Sequence, residues 1–142
     1  MNCTIYITIG HSCMGKTTWS KKQNIKRFTY DDLRHKKPLG MKTADFVEPM
    51  VREYGKDCII DYLHACKSNL DSDLNRYKDC NIVLVIFDIS LEKWLSNIEQ
   101  RNNILNKDHN KVKKLYEMFK KIKEYAFNLP YQKIIITDAD QV

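Results

Sequence analysis

The sequence predicts an α/β fold, a five-stranded parallel sheet with helices on both faces. Strand-like and helix-like segments alternate about five times along 142 residues, which is typical of parallel strands joined by helical crossovers. The run Ile82–Phe87 is apolar at all six positions, as in a strand that is buried on both faces of a sheet. The length fits one domain, residues 1–142.

Each strand is predicted from a short run rich in apolar or β-branched residues. In chain order the five runs are Thr4–Ile9, Arg27–Tyr30, Cys58–Ile60, Ile82–Phe87 and Lys133–Ile136. Between them, helices are predicted over Lys16–Lys26, Thr43–Tyr54, Asn69–Lys78, Leu91 to about Asn102 and Lys111 to about Phe127.

Helix ends and helix faces have their own signals. Thr43 and Ser90 can cap helix starts, Gly55 can end the helix before it, and Pro130 breaks the last helical pattern. Helical spacing predicts that one face of each long helix is apolar. The inward residues are Trp19 and Ile25, then Phe46, Met50 and Val51, then Trp94, Leu95 and Ile98, then Val112, Leu115, Phe119, Ile122 and Ala126.

A phosphate-binding loop is predicted directly after the first strand. Residues Gly10–Thr17 spell G-x-x-x-x-G-K-T between a strand and a helix, the context that the Walker A pattern needs. Glycines let the backbone turn close to phosphate, and loop N–H groups face the anion. We therefore predict ATP or another nucleoside triphosphate as donor, with Lys16 on the β- and γ-phosphates and the Thr17 hydroxyl on Mg²⁺. The predicted nucleotide-binding residues here are Gly10, Ser12, Cys13, Met14, Gly15, Lys16, Thr17 and Thr18.

Aspartates follow three of the later predicted strands. Asp31-Asp32, Asp61 and Asp88 come at strand ends, and the carboxyl ends of parallel strands meet at the edge of the sheet where ligands bind. Either Asp31 or Asp32 could accept a proton from the attacking hydroxyl, although aspartate is also common in turns. Asp61 could orient a cation or a Mg²⁺-bound water, or serve as a turn residue. Arg101 could close over the nucleotide, or lie where helix C-termini favour arginine.

The composition indicates the cellular compartment of the protein and the kinds of partner that it could bind. The formal net charge of +6, with several Lys/Arg clusters, is compatible with a polyanionic partner or with solvated helix faces. Five cysteines without C-x-x-C spacing favour a reducing, cytoplasmic setting (the host cell's, if the protein is viral) and argue against a zinc site. Cys3 and Cys58 are predicted core residues.

We expect no membrane span and no signal peptide, and no protein partner can be inferred. Four histidines without metal-ligand spacing are predicted in surface or loop positions: His11, His35, His64 and His109.

Several segments, in order along the chain, resemble the kinase domain of phage-type polynucleotide 5′-kinases. Ile7–Trp19 is similar to that family's phosphate-binding loop, and Tyr30–Arg34 to its D-D-x-R segment. Phe87-Asp88, with Arg101-Asn102 thirteen residues on, is similar to its fourth strand and lid arginine. Tyr116–Tyr125 resembles its closing helix. The resemblance implies ATP-dependent, Mg²⁺-dependent phosphorylation of 5′-hydroxyl ends of DNA or RNA.

Residue roles follow from this resemblance. It implies that Asp31 is the general base, that Arg34 grips the phosphate on the 3′ side of the acceptor nucleotide, and that Asp61 supports the acceptor site. Arg101 would act on the donor phosphates, together with Lys16. On these grounds the predicted catalytic residues are Asp31, Lys16 and Arg101.

The sequence departs from that family at the loop and at the lid. Ser12-Cys13-Met14 replaces a P-G-S type sequence, so that Cys13 stands where glycine is common, and Asn97 replaces a second basic lid residue. Two other functions therefore remain open. One is a small-molecule P-loop kinase that acts on a nucleoside, a nucleotide or a similar acceptor. The other is a nucleotide-binding module without enzymatic activity.

Overall fold

Strands and helices alternate throughout the protein. A computed structural model describes residues 2–63, 66–101 and 108–141; the predictions for His64 and for most of the Asn-rich stretch, at 102–107, fall outside these residues. The strands are β1 (Thr4–Ile9), β2 (Lys26–Thr29), β3 (Cys58–Asp61), β4 (Asn81–Asp88) and β5 (Gln132–Thr137). The helices are α1 (Lys16–Lys22), α2 (Tyr30–Leu33), α3 (Thr43–Tyr54), α4 (Lys67–Arg76), α5 (Leu91–Gln100) and α6 (His109–Phe127), and a 3₁₀ turn follows over Asp138–Gln141.

The five strands form one parallel sheet, which confirms the predicted fold class. Their order is β2-β3-β1-β4-β5, and every neighbouring pair is parallel. β1 lies in the centre, where Ile7 is opposite Ile60 of β3 and Leu84 of β4. Every residue from Ile82 to Phe87 is buried, so both faces of β4 are covered. The loop after β1 therefore leaves the middle of the sheet at its carboxyl edge.

The first helix ends earlier than the sequence predicts. α1 stops at Lys22 instead of Lys26, and Asn24 just beyond it has a φ of 53°. Left-handed backbone ends helices, and asparagine tolerates it better than other residues with a side chain. The chain can then turn into β2, which starts at Lys26.

The second strand ends one residue before its predicted end. Tyr30 begins α2 instead of closing β2, so Asp31 and Asp32 lie in a helical first turn. Carboxylates are favoured there because the N-terminus of a helix carries a partial positive charge. The Tyr30 ring is buried, and its hydroxyl donates to Asp73 at 3.3 Å.

The remaining helices match their predictions in most respects. Ser90 caps α5 by accepting from the Lys93 N–H at 3.1 Å, but Thr43 is the first residue of α3 and its predicted cap is wrong. The buried face of α3 is formed by Val47 and Val51, with Phe46 only half-buried. The predicted core residues Cys3 and Cys58 are buried, as are Trp94, Ile98, Val112, Phe119, Ile122 and Ala126. In the described part of the chain, no helix is long and apolar enough to cross a membrane.

Candidate functional site

The loop between β1 and α1 is held from inside by its own groups. The His11 N–H donates to Met14 Sδ at 3.2 Å, the Ser12 N–H to His11 Nδ1 at 3.0 Å, and the Met14 N–H to the His11 carbonyl at 3.2 Å. The Met14 side chain is fully buried, so this predicted nucleotide-binding residue anchors the loop. Gly15 has a φ of +95°, and a Cβ there would lie 2.5 Å from Gln141 Nε2. The positive φ favours glycine at that position, and a side chain there would displace the Gln141 amide.

Besides Ser12 and Cys13 of the loop, five of the predicted site residues line one cleft. Lys16 and Thr17 come from the start of α1, Asp31 from α2, Asp61 from the end of β3 and Arg101 from the end of α5. The cleft has a volume of about 280 Å³ and is completed by Ser12, Cys13 and Thr29. The sheet topology therefore brings residues that are up to 85 positions apart to the phosphate-binding loop.

Asp61 is held under the loop between two cations. Its carboxylate lies 3.5 Å from Lys16 Nζ and 3.7 Å from Arg27 Nη1, and it accepts from the Thr8 hydroxyl at 3.3 Å. Asp61 is only 5% exposed, and a buried carboxylate of this kind requires such partners. The carboxylate therefore fixes the position of the Lys16 ammonium group at the floor of the cleft. The sequence did not indicate Arg27 for this site.

A second cavity adjoins the cleft through Arg101. It has a volume of about 390 Å³, and we call it the α1–α5 cavity. Its lining residues are Gly15, Thr18, Trp19, Lys22, Lys93, Asn97, Gln100, Arg101, Ile136, Asp140 and Gln141. Arg101 lines both spaces.

A third cavity, of about 470 Å³, is lined by residues of α2, α3 and α4. We call it the tyrosine cavity, because Tyr30 and Tyr62 line it and their ring centroids are 4.7 Å apart. Burial and the charge of Asp73 raise the pKa of Tyr62, and the charge of Asp31 adds to this rise. Asp31 therefore lies near the boundary between the cleft and the tyrosine cavity.

Other predicted site residues lie elsewhere. Arg34 is exposed at the end of α2, where its Nε contacts His35 Nε2 at 3.4 Å. Asp88 pairs with Lys123 at 2.8 Å. Among the described residues, neither Arg34 nor Asp88 lines the cleft. Of the aspartates predicted to converge there, the structure brings Asp31 and Asp61 to it.

His11 is the titratable group of the loop with a shifted pKa. Burial and the nearby charge of Lys16 lower the pKa of His11 to about 4. Its ring packs 5.0 Å from the ring of Trp94. His11 is therefore neutral at neutral pH, which suits its Nδ1 for accepting the Ser12 N–H.

The sequence analysis missed three side chains that bind the outer side of the loop. Trp94 Nε1 donates to the Ser12 carbonyl at 2.8 Å, Asn97 Nδ2 to the Cys13 carbonyl at 3.0 Å, and Gln141 Nε2 to the Met14 carbonyl at 2.6 Å. Asn97 stands where the polynucleotide 5′-kinases have a second basic lid residue, but here it is a buried partner of the loop. These contacts span 82 to 127 positions, so no local pattern could indicate them.

Solved structures share this arrangement of strands and helices. A putative kinase from Chloroflexus aurantiacus j-10-fl is 14% identical, with 98% of this chain and 91% of that chain covered and a TM-score of 0.56. The deoxyadenosine kinase from M. mycoides is 12% identical, with 96% and 90% covered and a TM-score of 0.51. The chain has a P-loop kinase-like fold. An uncharacterized protein from Eubacterium ventriosum ATCC 27560 is 13% identical, with 95% and 89% covered and a TM-score of 0.50.

At these identities the structural likeness shows the fold alone. No protein-family model matches the sequence, and no curated protein matches it either. The comparisons support a P-loop kinase-like fold and not the polynucleotide 5′-kinase family in particular.

Proposed function

We propose that this protein is a kinase that transfers the γ-phosphoryl group of ATP, or another nucleoside triphosphate, to a hydroxyl group of a nucleoside or a similar small molecule. One observation carries the proposal. The Walker A lysine, a candidate general base and a candidate lid arginine line one cleft of about 280 Å³, namely Lys16, Asp31 and Arg101. Phosphoryl transfer depends mainly on positioning and charge neutralisation, and these residues provide for both.

On the donor side, cations would hold the phosphates. Lys16 would leave part of its pairing with Asp61 to bind the β- and γ-phosphates, and Arg101 would stabilise the charge that develops on the transferred group. The Thr17 hydroxyl is exposed at the cleft, and the Asp61 carboxylate also faces it. These hard oxygen donors fit Mg²⁺, which binds few protein ligands and retains waters. Held there by Thr17 and Asp61, Mg²⁺ would supply positive charge against the phosphate groups.

On the acceptor side, Asp31 would accept the proton of the attacking hydroxyl. The adjoining tyrosine cavity supports a small acceptor, since about 470 Å³ is in the usual range of small-molecule sites, and Tyr62 offers a ring for stacking. The name of the M. mycoides neighbour, deoxyadenosine kinase, and the dCMP and dCDP bound in it agree with a nucleoside-type acceptor.

A polynucleotide 5′-hydroxyl end is the second candidate acceptor. The exposure of Asp31, Asp32 and Arg34 favours it, because an open position admits a chain end that an enclosed pocket would reject. The D-D-x-R sequence, with its resemblance to polynucleotide 5′-kinases, points the same way. DNA and RNA are both retained as partners in this second candidate.

A phosphate-transfer assay with γ-labelled ATP separates these functions. Nucleosides, nucleoside monophosphates and a 5′-hydroxyl oligonucleotide are offered in parallel at equal concentrations of hydroxyl groups. We expect label in a nucleoside or nucleotide, with the oligonucleotide at least tenfold slower. Faster labelling of the oligonucleotide would support the second candidate instead. Binding of ATP without transfer to any hydroxyl would contradict both, and would favour a module that only binds nucleotide.

A further inference from the structure

Three consecutive carbonyl groups of the phosphate-binding loop are held by side chains from outside the loop. Trp94, Asn97 and Gln141 donate to the carbonyls of residues 12, 13 and 14 respectively. We name these three residues the carbonyl clamp. We propose that Trp94 and Gln141 are positioning residues for phosphate binding, which aim the N–H groups of Cys13 and Gly15 at the bound phosphates. This inference rests on the proposed nucleotide-binding function.

The geometry of the peptide bond gives the clamp its effect. A trans peptide is planar, so its N–H and C=O point in opposite directions, and no cis peptide occurs among the described residues. The Ser12 carbonyl shares a peptide plane with the Cys13 N–H, and the Met14 carbonyl shares one with the Gly15 N–H. When Trp94 and Gln141 hold these two carbonyls, the two N–H groups must point away from α5 and from the 3₁₀ turn.

The loop has few other N–H groups to offer. Those of His11, Ser12 and Met14 bond within the loop. Cys13, by contrast, lines the cleft with Lys16 and Thr17. The orientation of the peptides on either side of residues 13 and 14 therefore decides which donors the loop adds to the N–H groups at the start of α1.

Asn97 links the Cys13 carbonyl to Gln141. Its Nδ2 lies 3.0 Å from the Cys13 carbonyl and 3.1 Å from Gln141 Oε1. The Gln141 side-chain oxygen accepts from Asn97, so the Gln141 Nε2 group faces the Met14 carbonyl. Asn97 is 8% exposed, so water competes poorly for these bonds.

The clamp also explains how the loop tolerates a cysteine at position 13. Cys13 has a φ of 68°, and a left-handed residue with a side chain costs about 1–2 kcal/mol. Such strain persists where surrounding contacts over-determine it. Here the carbonyls on both sides of Cys13 Cα are bonded, to Trp94 and to Asn97. The clamp thus supplies the restraint on the loop shape.

Two substitutions in the full-length protein test the proposal. Trp94→Phe keeps a smaller aromatic ring but removes the indole N–H, and Gln141→Leu keeps a side chain of similar volume but removes the amide. Ile98→Val is the matched control within α5, since Ile98 is buried and its hydrocarbon side chain cannot donate a hydrogen bond to the loop. Gln132→Leu is the control for Gln141, because Gln132 is an exposed glutamine on β5. All variants are checked by thermal melting.

The probes are Mg²⁺-ATP and Mg²⁺-tripolyphosphate, with dissociation constants measured by calorimetry. Tripolyphosphate contains no base, so it reports on the loop and not on the α1–α5 cavity, which Asn97 and Gln141 also line. We expect Trp94→Phe and Gln141→Leu each to raise the dissociation constants of both ligands about tenfold, which is the usual effect of losing one buried hydrogen bond. The dissociation constants of the two control variants should stay within about twofold of those of the unaltered protein, whatever their melting temperatures.

Two results would overturn the positioning role. Unchanged affinity for tripolyphosphate in both variants would mean that the clamp serves stability only. Weaker binding of ATP alone would mean that these residues act on the base. If the unaltered protein binds neither ligand, the proposed function itself fails, and the positioning role fails with it. That outcome is distinguishable because it appears before any substitution is made.

Discussion

Asp31 and its neighbour Asp32 occupy different positions although they are adjacent in sequence. Both are exposed, but Asp31 lines the cleft with Lys16 and Arg101, whereas Asp32, among the described residues, does not line it. Sequence spacing alone left the two open as candidate bases, and only the resemblance to polynucleotide 5′-kinases favoured Asp31. The first turn of α2 therefore gives a structural reason to test them as a pair.

Asp31→Asn should lower the rate of phosphate transfer by about 10²–10⁴-fold, because the amide cannot accept the proton of the attacking hydroxyl. The dissociation constant of Mg²⁺-ATP should stay within about twofold of that of the unaltered protein, since Asp31 is not predicted to contact ATP. Steady-state kinetics with the best acceptor, beside ATP calorimetry, measures both. Asp32→Asn is the matched control and should retain transfer. Loss of transfer in Asp32→Asn with an active Asp31→Asn would reverse the assignment.

His11 should make the stability of the protein depend on pH. Its pKa is about 4 in the folded protein and about 6.5 when unfolded, so the unfolded state binds more protons between these values. The free energy of unfolding should therefore fall as the pH drops from about 6.5 towards 4, and stay flat above 6.5 as far as His11 is concerned.

Urea unfolding at half-unit steps from pH 4 to 7 measures the His11 effect. His11→Asn replaces the ring by a group without charge that can still accept the Ser12 N–H, and its stability should vary less with pH over this window. His109→Asn is the control, because His109 is exposed. An equally steep pH dependence in His11→Asn and in the unaltered protein would contradict the prediction.

At the scale of single elements, the end of α1 depends on Asn24. This residue adopts a φ of 53°, two positions after the last helical residue. Asn24→Ala should lower the free energy of unfolding by about 1 kcal/mol, since alanine has no side-chain polar group to compensate for left-handed backbone. Asn24→Gly should be neutral or slightly stabilising.

Chemical denaturation of the two Asn24 variants checks this prediction. Asn110→Ala, at an exposed position of α6, is the control and should change stability by less than about 0.5 kcal/mol. Equal stability of Asn24→Ala and Asn24→Gly would mean that the left-handed turn does not matter for where the helix ends.

Elements with local signals could be predicted from the sequence, and those without could not. The β4 run Ile82–Phe87 follows from its continuous apolar sequence, and the α6 stripe follows from helical spacing. The structure buries the whole run and four of the five stripe residues, with Leu115 half-buried. The end of α1 depends on the conformation of one residue, Asn24. The start of α2 at Tyr30 depends on a distant partner, since the Tyr30 hydroxyl bonds Asp73 on α4. Local patterns contain neither kind of information.

At the scale of the whole molecule, the order β2-β3-β1-β4-β5 builds the candidate site. The sequence predicted parallel strands and polar residues at their carboxyl ends, which was enough to propose that Lys16, Asp31 and Asp61 meet. It could not predict that Asp61 would pair with Lys16 under the loop, because that follows from β3 lying beside β1. Gln141 likewise reaches the loop from the 3₁₀ turn after β5, although β4 separates β5 from β1.

Nucleotide binding should stabilise the whole fold, since a ligand that binds only the folded state adds its binding free energy to stability. Mg²⁺-ATP at about 100 times its dissociation constant should add about 2.7 kcal/mol, or roughly 5–10 °C in melting temperature for a domain of this size. Lys16→Met should abolish this shift, because the ammonium group on the phosphates is lost. Lys21→Met, at an exposed position of α1, should retain it.

Thermal melting measures four shifts in melting temperature. Three are caused by Mg²⁺-ATP, in the unaltered protein and in both variants, and the fourth is caused by Mg²⁺-tripolyphosphate in the unaltered protein. A full shift in Lys16→Met would mean that the nucleotide binds away from the loop, and the cleft of Lys16, Asp31 and Arg101 would then not be the site of transfer.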